Sequence, residues 1–338
     1  MSIERRGRQV LAGDIGGTKT HLARYFQGKT RPVARDMASY ASRDAADLET
    51  LVARFLEKNP GPVDNACFAI AGPVIDGLCR TTNLPWQVSE SHLTQRFGWH
   101  VRLVNDLAAT ALGIALLHSR ELFALNTARP QKGKNIAIIA PGTGLGTSIL
   151  SCHGGKYIPI ASEGGHADFA PIDETHVLLW REMAQRYGHV SIERIVSGVG
   201  LLNIFFFLKN KERYRVPAWL VRNIENGDPA RAIAEAALQE KEPLCIETLG
   251  MFTAALGSIA GNLALTVLAT GGVYLGGGIA PKILPALTDG VFMSAFTNKG
   301  RFKALLEKIP VRVILNDKAA IIGAAHCALT KSLGDLTP

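Results

Sequence analysis

The chain has 338 residues, 47% of them hydrophobic and 20% charged; this globular balance excludes disorder as the main state, and the length leaves room for about two domains. The formal charge of +8 admits an anionic ligand, but the basic residues are scattered. The densest groups, Arg5-Arg6-Gly7-Arg8 and Lys209 to Arg215, read as solvated surface, so no nucleic-acid partner is expected.

The first residues pass from charge straight into a strand-like run, without the apolar segment of a signal peptide. The five cysteines, at 67, 79, 152, 245 and 327, form no CxxC pair; a dispersed, odd set suits reduced thiols in a cytoplasmic protein. Gln9 to Ile15 and Thr20 to Tyr25 read as two strands around a Gly16-Gly17-Thr18-Lys19 turn. Residues 44–58 carry Ala46, Leu48, Leu51, Val52, Phe55 and Leu56 at helical spacing. Asn65 to Ala71 is a short apolar strand ending at Gly72-Pro73. Val101 to Val104 is another, followed at once by Asn105-Asp106 and an apolar helix from Leu107 to Leu117.

Asn135 to Ala140 is a fourth strand, closed by Pro141-Gly142-Thr143-Gly144-Leu145-Gly146, with an extended run from Thr147 to Ser151. This hairpin repeats the design of the first and suggests two related halves. Helices are expected from about 174 to 269. No charged residue occurs between Glu247 and Lys282, long enough for a membrane span, but Gly271-Gly272 and Gly276-Gly277-Gly278 divide it. A buried helix followed by a buried strand at 273–276 fits better, and no membrane partner is expected. Val311 to Leu315 is a last strand and Ala319 to Leu329 a closing helix; the alternation predicts an α/β fold.

Common nucleotide motifs fail on spacing. Gly28-Lys29-Thr30 would need glycine at Ala23 to complete a P-loop; Gly133-Lys134 would need it at Ala128, and Asn135 replaces the hydroxyl residue. No GxGxxG follows a strand and opens a helix. Three Gly-rich turns after strands remain, two with Thr at the tip. Such turns expose backbone N–H groups and let a ligand approach closely, which suits phosphate, although either hairpin alone could be an ordinary tight turn. Asp14 could merely organise its turn, and Asp106, between strand and helix, could merely cap that helix.

Gly13-Asp14-Ile15-Gly16-Gly17-Thr18 resembles the first phosphate motif of the sugar kinase, Hsp70 and actin superfamily. Pro141 to Gly146 resembles its second phosphate motif, and Gly271 to Ile279 its adenosine motif. The chain is similar over nearly its whole length to the bacterial ATP-dependent glucokinase family, through Phe68 to Pro73, Val104-Asn105-Asp106, Glu163 to Phe169, Ser191 to Arg194 and Lys299 to Lys303.

The resemblance implies a two-domain actin-like ATPase (ribonuclease H-like) α/β fold with an interdomain cleft. Its small domain would cover 1–110, with the closing helix 319–338 packing back on it, and its large domain 111–318. It implies ATP and Mg²⁺ as cofactors, glucose as substrate and a homodimer. Asp106 would be the catalytic base. Asn105, Asp106, Glu163, His166 and Glu193 would bind the sugar. Gly13, Asp14, Gly16, Gly17, Thr18, Gly142, Thr143, Gly144, Gly277 and Gly278 would bind the nucleotide, and Asp14 would hold the metal. One departure is Leu107, where Phe is common in the family.

A related kinase group holds zinc with a His like His166 and a Cys-rich loop; that Cys cluster is missing here, so zinc is not expected. Asp106 and Glu163 could instead be a glycosidase pair, but a glycosidase leaves the three phosphate-type turns unexplained. A kinase for another hexose or an N-acetylated sugar stays open. So does a sugar-sensing regulator, although only about eight residues precede the first strand, too few for a DNA-binding domain.

Overall fold

The computed structural model describes residues 8–81, 84–211 and 214–330. Arg5-Arg6-Gly7, Glu212-Arg213 and the stretch 331–338 therefore lie outside the described residues. By compactness the chain divides into two units: Met1–Ser119, Leu150–Ala161 and Asn316–Pro338 form unit 1, and Arg120–Ile149 and Ser162–Leu315 form unit 2.

In chain order the strands are β1 Gln9–Ile15, β2 Lys19–Phe26, β3 Val33–Ala41, β4 Asn65–Ile70, β5 Val74–Ile75, β6 Leu78–Arg80, β7 Gln87–Ser89, β8 His100–Asn105, β9 Leu122–Ala124, β10 Ile136–Pro141, β11 Leu145–His153, β12 Lys156–Ser162, β13 Gly272–Leu275 and β14 Val311–Ile314. The helices are α1 Leu48–Lys58, α2 Glu90–Phe97, α3 Asp106–Ile114, α4 Glu174–Tyr187, α5 Gly198–Lys209, α6 Ala218–Asn226, α7 Pro229–Leu238, α8 Pro243–Val267, α9 Leu284–Leu287, α10 Val291–Thr297, α11 Lys303–Leu306 and α12 Ala319–Thr330.

Unit 1 is built on a sheet of order β3-β2-β1-β4-β8, in which β1, β4 and β8 run parallel. Every residue of β4 is buried, as expected for a central strand covered on both faces. β3 escapes the sequence reading because it is an edge strand: its residues alternate between exposed and half-buried, so it carries little apolar signal. α1 starts later than expected, at Leu48, because the Asp47 carboxylate accepts the Thr50 N–H and caps the helix there. Leu48, Leu51, Val52 and Phe55 form its buried face.

α12 packs on α3 and against β1 and β4. The helices meet backbone to backbone. A Cβ added at Gly113 would lie 2.0 Å from Ala319 O, and one at Gly323 would lie 1.9 Å from Ala109 O. Glycine at both positions is what this approach requires.

Arg24, on β2, is almost fully buried beside Asp36 of β3, and also donates to Pro60 O at 3.2 Å. Asp36→Ala leaves that guanidinium without its counter-ion. We expect a loss of about 3 kcal/mol, read as a lower urea midpoint with an unchanged slope.

In unit 2, β10, β13 and β14 are parallel and β9 runs antiparallel to β14. The charge-free stretch forms α8 and β13. α8 is long and apolar enough to cross a membrane, but most of it is buried within the fold. A Cβ at Gly257 would lie 2.3 Å from Phe292 O, so α8 and α10 also pack at backbone distance.

Candidate active site

In unit 1 the sheet register places the acidic residues. Asp14 pairs with Ala69 and Ala69 with Val104; one step on, Ile15 pairs with Ile70 and Ile70 with Asn105. Asp14 and Asn105-Asp106 therefore emerge at the same carboxyl edge, on strands flanking β4, where open α/β sheets bind ligands.

Asn105 is the N-cap of α3. Its Oδ1 accepts from Leu107 N at 3.0 Å and Ala108 N at 3.2 Å, while its Nδ2 donates to Gly72 O at 3.2 Å. The capping role weighed for Asp106 thus falls one residue earlier, and Asp106 is the first residue of the helix. The positive end of the helix dipole favours an ionised carboxylate there. Asp14 is half-buried, and desolvation, with the carboxylates of Asp106 and Asp317, raises its pKa to about 7.

The hairpin turn is closed by Gly16 N–H donating to Lys19 O at 3.0 Å, and Thr18 at its tip is exposed. Gly13 is different: it is buried within β1, and an added Cβ would lie 2.6 Å from Phe68 Cδ1 and 2.9 Å from Leu22 Cδ2. Packing inside unit 1 explains the glycine at that position.

In unit 2 the second and third Gly turns meet. Gly277 has a φ of +72°, and a Cβ there would lie 2.3 Å from Pro141 O, which also accepts from Ile279 N at 3.2 Å. The 142–144 turn closes through Gly142 N to Gly144 O at 2.8 Å. Gly142 O accepts from Gly198 N at 2.8 Å, so α5 begins on this turn. Thr143 and Gly278 are exposed.

Glu163 precedes and His166 ends a single 3-10 turn, Gly164–His166, and both are exposed. Gly165 sits so close to Leu145 that a Cβ would lie 2.0 Å from Leu145 O. Ile192 N donates to Ala167 O at 2.9 Å and sets a second 3-10 turn, Ile192–Arg194, alongside. Glu193 Oε2 accepts from Leu145 N at 2.8 Å. Glu193 therefore organises the second phosphate-type turn itself, an interaction that long sequence separation hides. The two 3-10 turns that carry Glu163, His166 and Glu193 are in contact, and both meet Leu145.

The sequence reading passed over Asp317. A signal was available: Asn316-Asp317 repeats the Asn105-Asp106 pair, again between a strand and an apolar helix.

A sequence profile of the Glucokinase family matches residues 11–331. A glucokinase of Nostoc punctiforme is 42% identical over 335 residues, covering 94% of this chain and 98% of that protein. One from Neisseria meningitidis is 38% identical, covering 94% of each chain. Among solved structures, a glucokinase from an Antarctic psychrotroph aligns with a TM-score of 0.85 at 29% identity, over 96% of this chain and 99% of that one. The α/β architecture is that of actin-like ATPases.

Proposed function

The chain belongs to the glucokinase family, and from that premise we propose that it transfers the γ-phosphoryl group of ATP to the 6-hydroxyl of glucose, with Asp106 as base. The observation that carries this reading is Asp106 as the first residue of α3, beside Asp14 at the carboxyl edge of the unit 1 sheet. A carboxylate at a helix N-terminus, where the dipole favours negative charge, suits accepting a proton at its side-chain oxygen. Asn105, with its oxygen committed to the cap, contributes an amide N–H to the sugar. Glu163, His166 and Glu193 supply donors and acceptors for the remaining hydroxyls; Glu193 has Oε1 for this, since Oε2 holds Leu145 N.

Gly17 and Thr18 of the first turn, and Thr143 and Gly144 of the second, offer backbone N–H groups and hydroxyls to phosphate oxygens, while Gly16 and Gly142 close those turns with their own N–H groups. Gly277 and Gly278 leave room for the adenosine. Gly13 serves this only indirectly, by seating β1.

The residues present fit a magnesium ion at Asp14. Burial, and then the neighbouring carboxylates, penalise its negative charge, which a cation offsets. Among the described residues no group of three or more His, Cys, Asp and Glu side chains could hold a metal alone. That suits an ion taken up with water and nucleotide phosphates. When bound, the ion neutralises charge on the transferring phosphate.

Unit 1 corresponds in this reading to the small domain and unit 2 to the large one. On the family resemblance, the reading extends to a cytoplasmic homodimer at the first step of glycolysis.

The experiment is ADP release from MgATP with and without glucose, beside a panel of mannose, fructose and N-acetylglucosamine. We expect glucose-dependent release, with the other sugars slower by tenfold or more in kcat/KM. Release that is equally fast with an N-acetylated sugar would replace the substrate named here.

A further inference from the structure

The carbonyls of the Gly16–Lys19 turn are held from behind by a residue outside every motif. Ser42 opens a single 3-10 turn after β3 and is completely buried. Its Oγ donates to Gly16 O at 2.7 Å, and its N–H donates to Thr18 O at 3.0 Å. Thr20 Oγ1, also completely buried, lies 3.0 Å from Ser42 Oγ. A hydroxyl has one proton. Because that of Ser42 goes to Gly16 O, Thr20 is the donor in the second pair. The side chains form one directed chain, from the Thr20 O–H through the Ser42 O–H to the Gly16 carbonyl.

The direction matters. In a trans peptide, C=O and N–H point opposite ways. Fixing Gly16 C=O toward Ser42 turns the Gly17 N–H away from it. Among the described residues that N–H makes no hydrogen bond, and Gly17 is only half-buried. Two completely buried hydroxyls must be desolvated, where Ala and Val would pack without that cost. Holding the turn gives them a purpose that packing alone does not.

We propose that Ser42, oriented by Thr20, is the positioning residue of this turn: it aims the Gly17 N–H at a phosphate oxygen of the nucleotide. The inference rests on the reading that the turn receives phosphate. Ser42 touches neither substrate; it acts through the Gly16–Gly17 peptide.

Steady-state kinetics on the full chain test it. Ser42→Ala is expected to raise KM for ATP about tenfold and to lower kcat. Glucose affinity, read from tryptophan fluorescence, stays within twofold of wild type. Ser42→Cys, whose thiol is a weak donor, regains part of the loss. Thr20→Val shifts the same parameters less, and it decides the matter if Ser42→Ala does not fold.

Unchanged ATP parameters in both Ser42→Ala and Thr20→Val would overturn the proposal, as would equal losses for ATP and glucose. Thr18→Ala separates the two levels. If it weakens ATP use while the Ser42 and Thr20 variants do not, only the positioning role fails. If all three leave ATP use intact, the turn does not receive phosphate and the underlying reading fails as well.

Discussion

With Asp106 as the proposed base, Asp106→Asn is expected to lower kcat for glucose phosphorylation by about 10³-fold while ATP affinity stays within about threefold of wild type. The size follows from the role: general-base catalysis contributes roughly 10²–10⁴, and the amide cannot accept the proton. The selectivity follows from the local structure. Asn105 caps α3 through its own Oδ1, so replacing Asp106 leaves the cap intact. Asn is nearly isosteric with Asp, so the edge of the sheet keeps its shape. ADP release and nucleotide binding by calorimetry, measured on one preparation, check both halves. Comparable losses in turnover and in ATP affinity would mean that Asp106 holds the site together rather than taking a proton.

Gly323→Val is the largest expected effect on stability. The added Cβ would sit 1.9 Å from Ala109 O, a backbone atom of a helix that cannot yield by rotating a side chain. α12 must move off α3, and every residue of α12 except His326 and Thr330 is buried. Overpacking in a well-packed core costs about 1–3 kcal/mol and occasionally more; two helix backbones in contact place this change at about 3 kcal/mol or beyond. The change falls in unit 1, whose own thermal midpoint should drop by roughly 10 °C, since a unit of about 150 residues shifts by about 2–4 °C per kcal/mol.

Turnover is expected to fall as well, because α3 carries the proposed base, Asp106, as its first residue. Gly250→Ala is the control. Gly250 lies within α8 and nothing comes within 4 Å of an added Cβ. That substitution is expected to stabilise by about 0.5–1 kcal/mol. Calorimetric scans of the three proteins decide: a Gly323→Val midpoint within 2–3 °C of wild type would show that the helix contact is looser than its geometry.

Much of this arrangement was legible from residues alone. The two strand–Gly-turn–strand hairpins, the buried helix and strand of the charge-free stretch and the Asn105-Asp106 junction are short-range patterns. Local chemistry governs each: glycine permits the turn, and apolar spacing sets the helix. What remained hidden depends on residues far apart in the chain. Nothing near Ser42 announces that its hydroxyl reaches Gly16, 26 positions away. Glu193 looks like a polar residue of a 3-10 turn until its carboxylate is seen on Leu145 N, 48 positions earlier. β3 and β12 were missed because edge strands bury too little to write a pattern.

By itself, then, the sequence determined the class of fold and the order of the phosphate-type turns, since these rest on backbone preference and residue chemistry within a few positions. Only the tertiary structure decided which side chains aim those turns. It also gave Gly13 a steric reason, the close approach of Phe68 and Leu22, and gave the cap of α3 to Asn105 rather than Asp106. Hydrogen-bond direction and steric room are properties of three-dimensional neighbours, and a chain fixes them only once its distant segments have met.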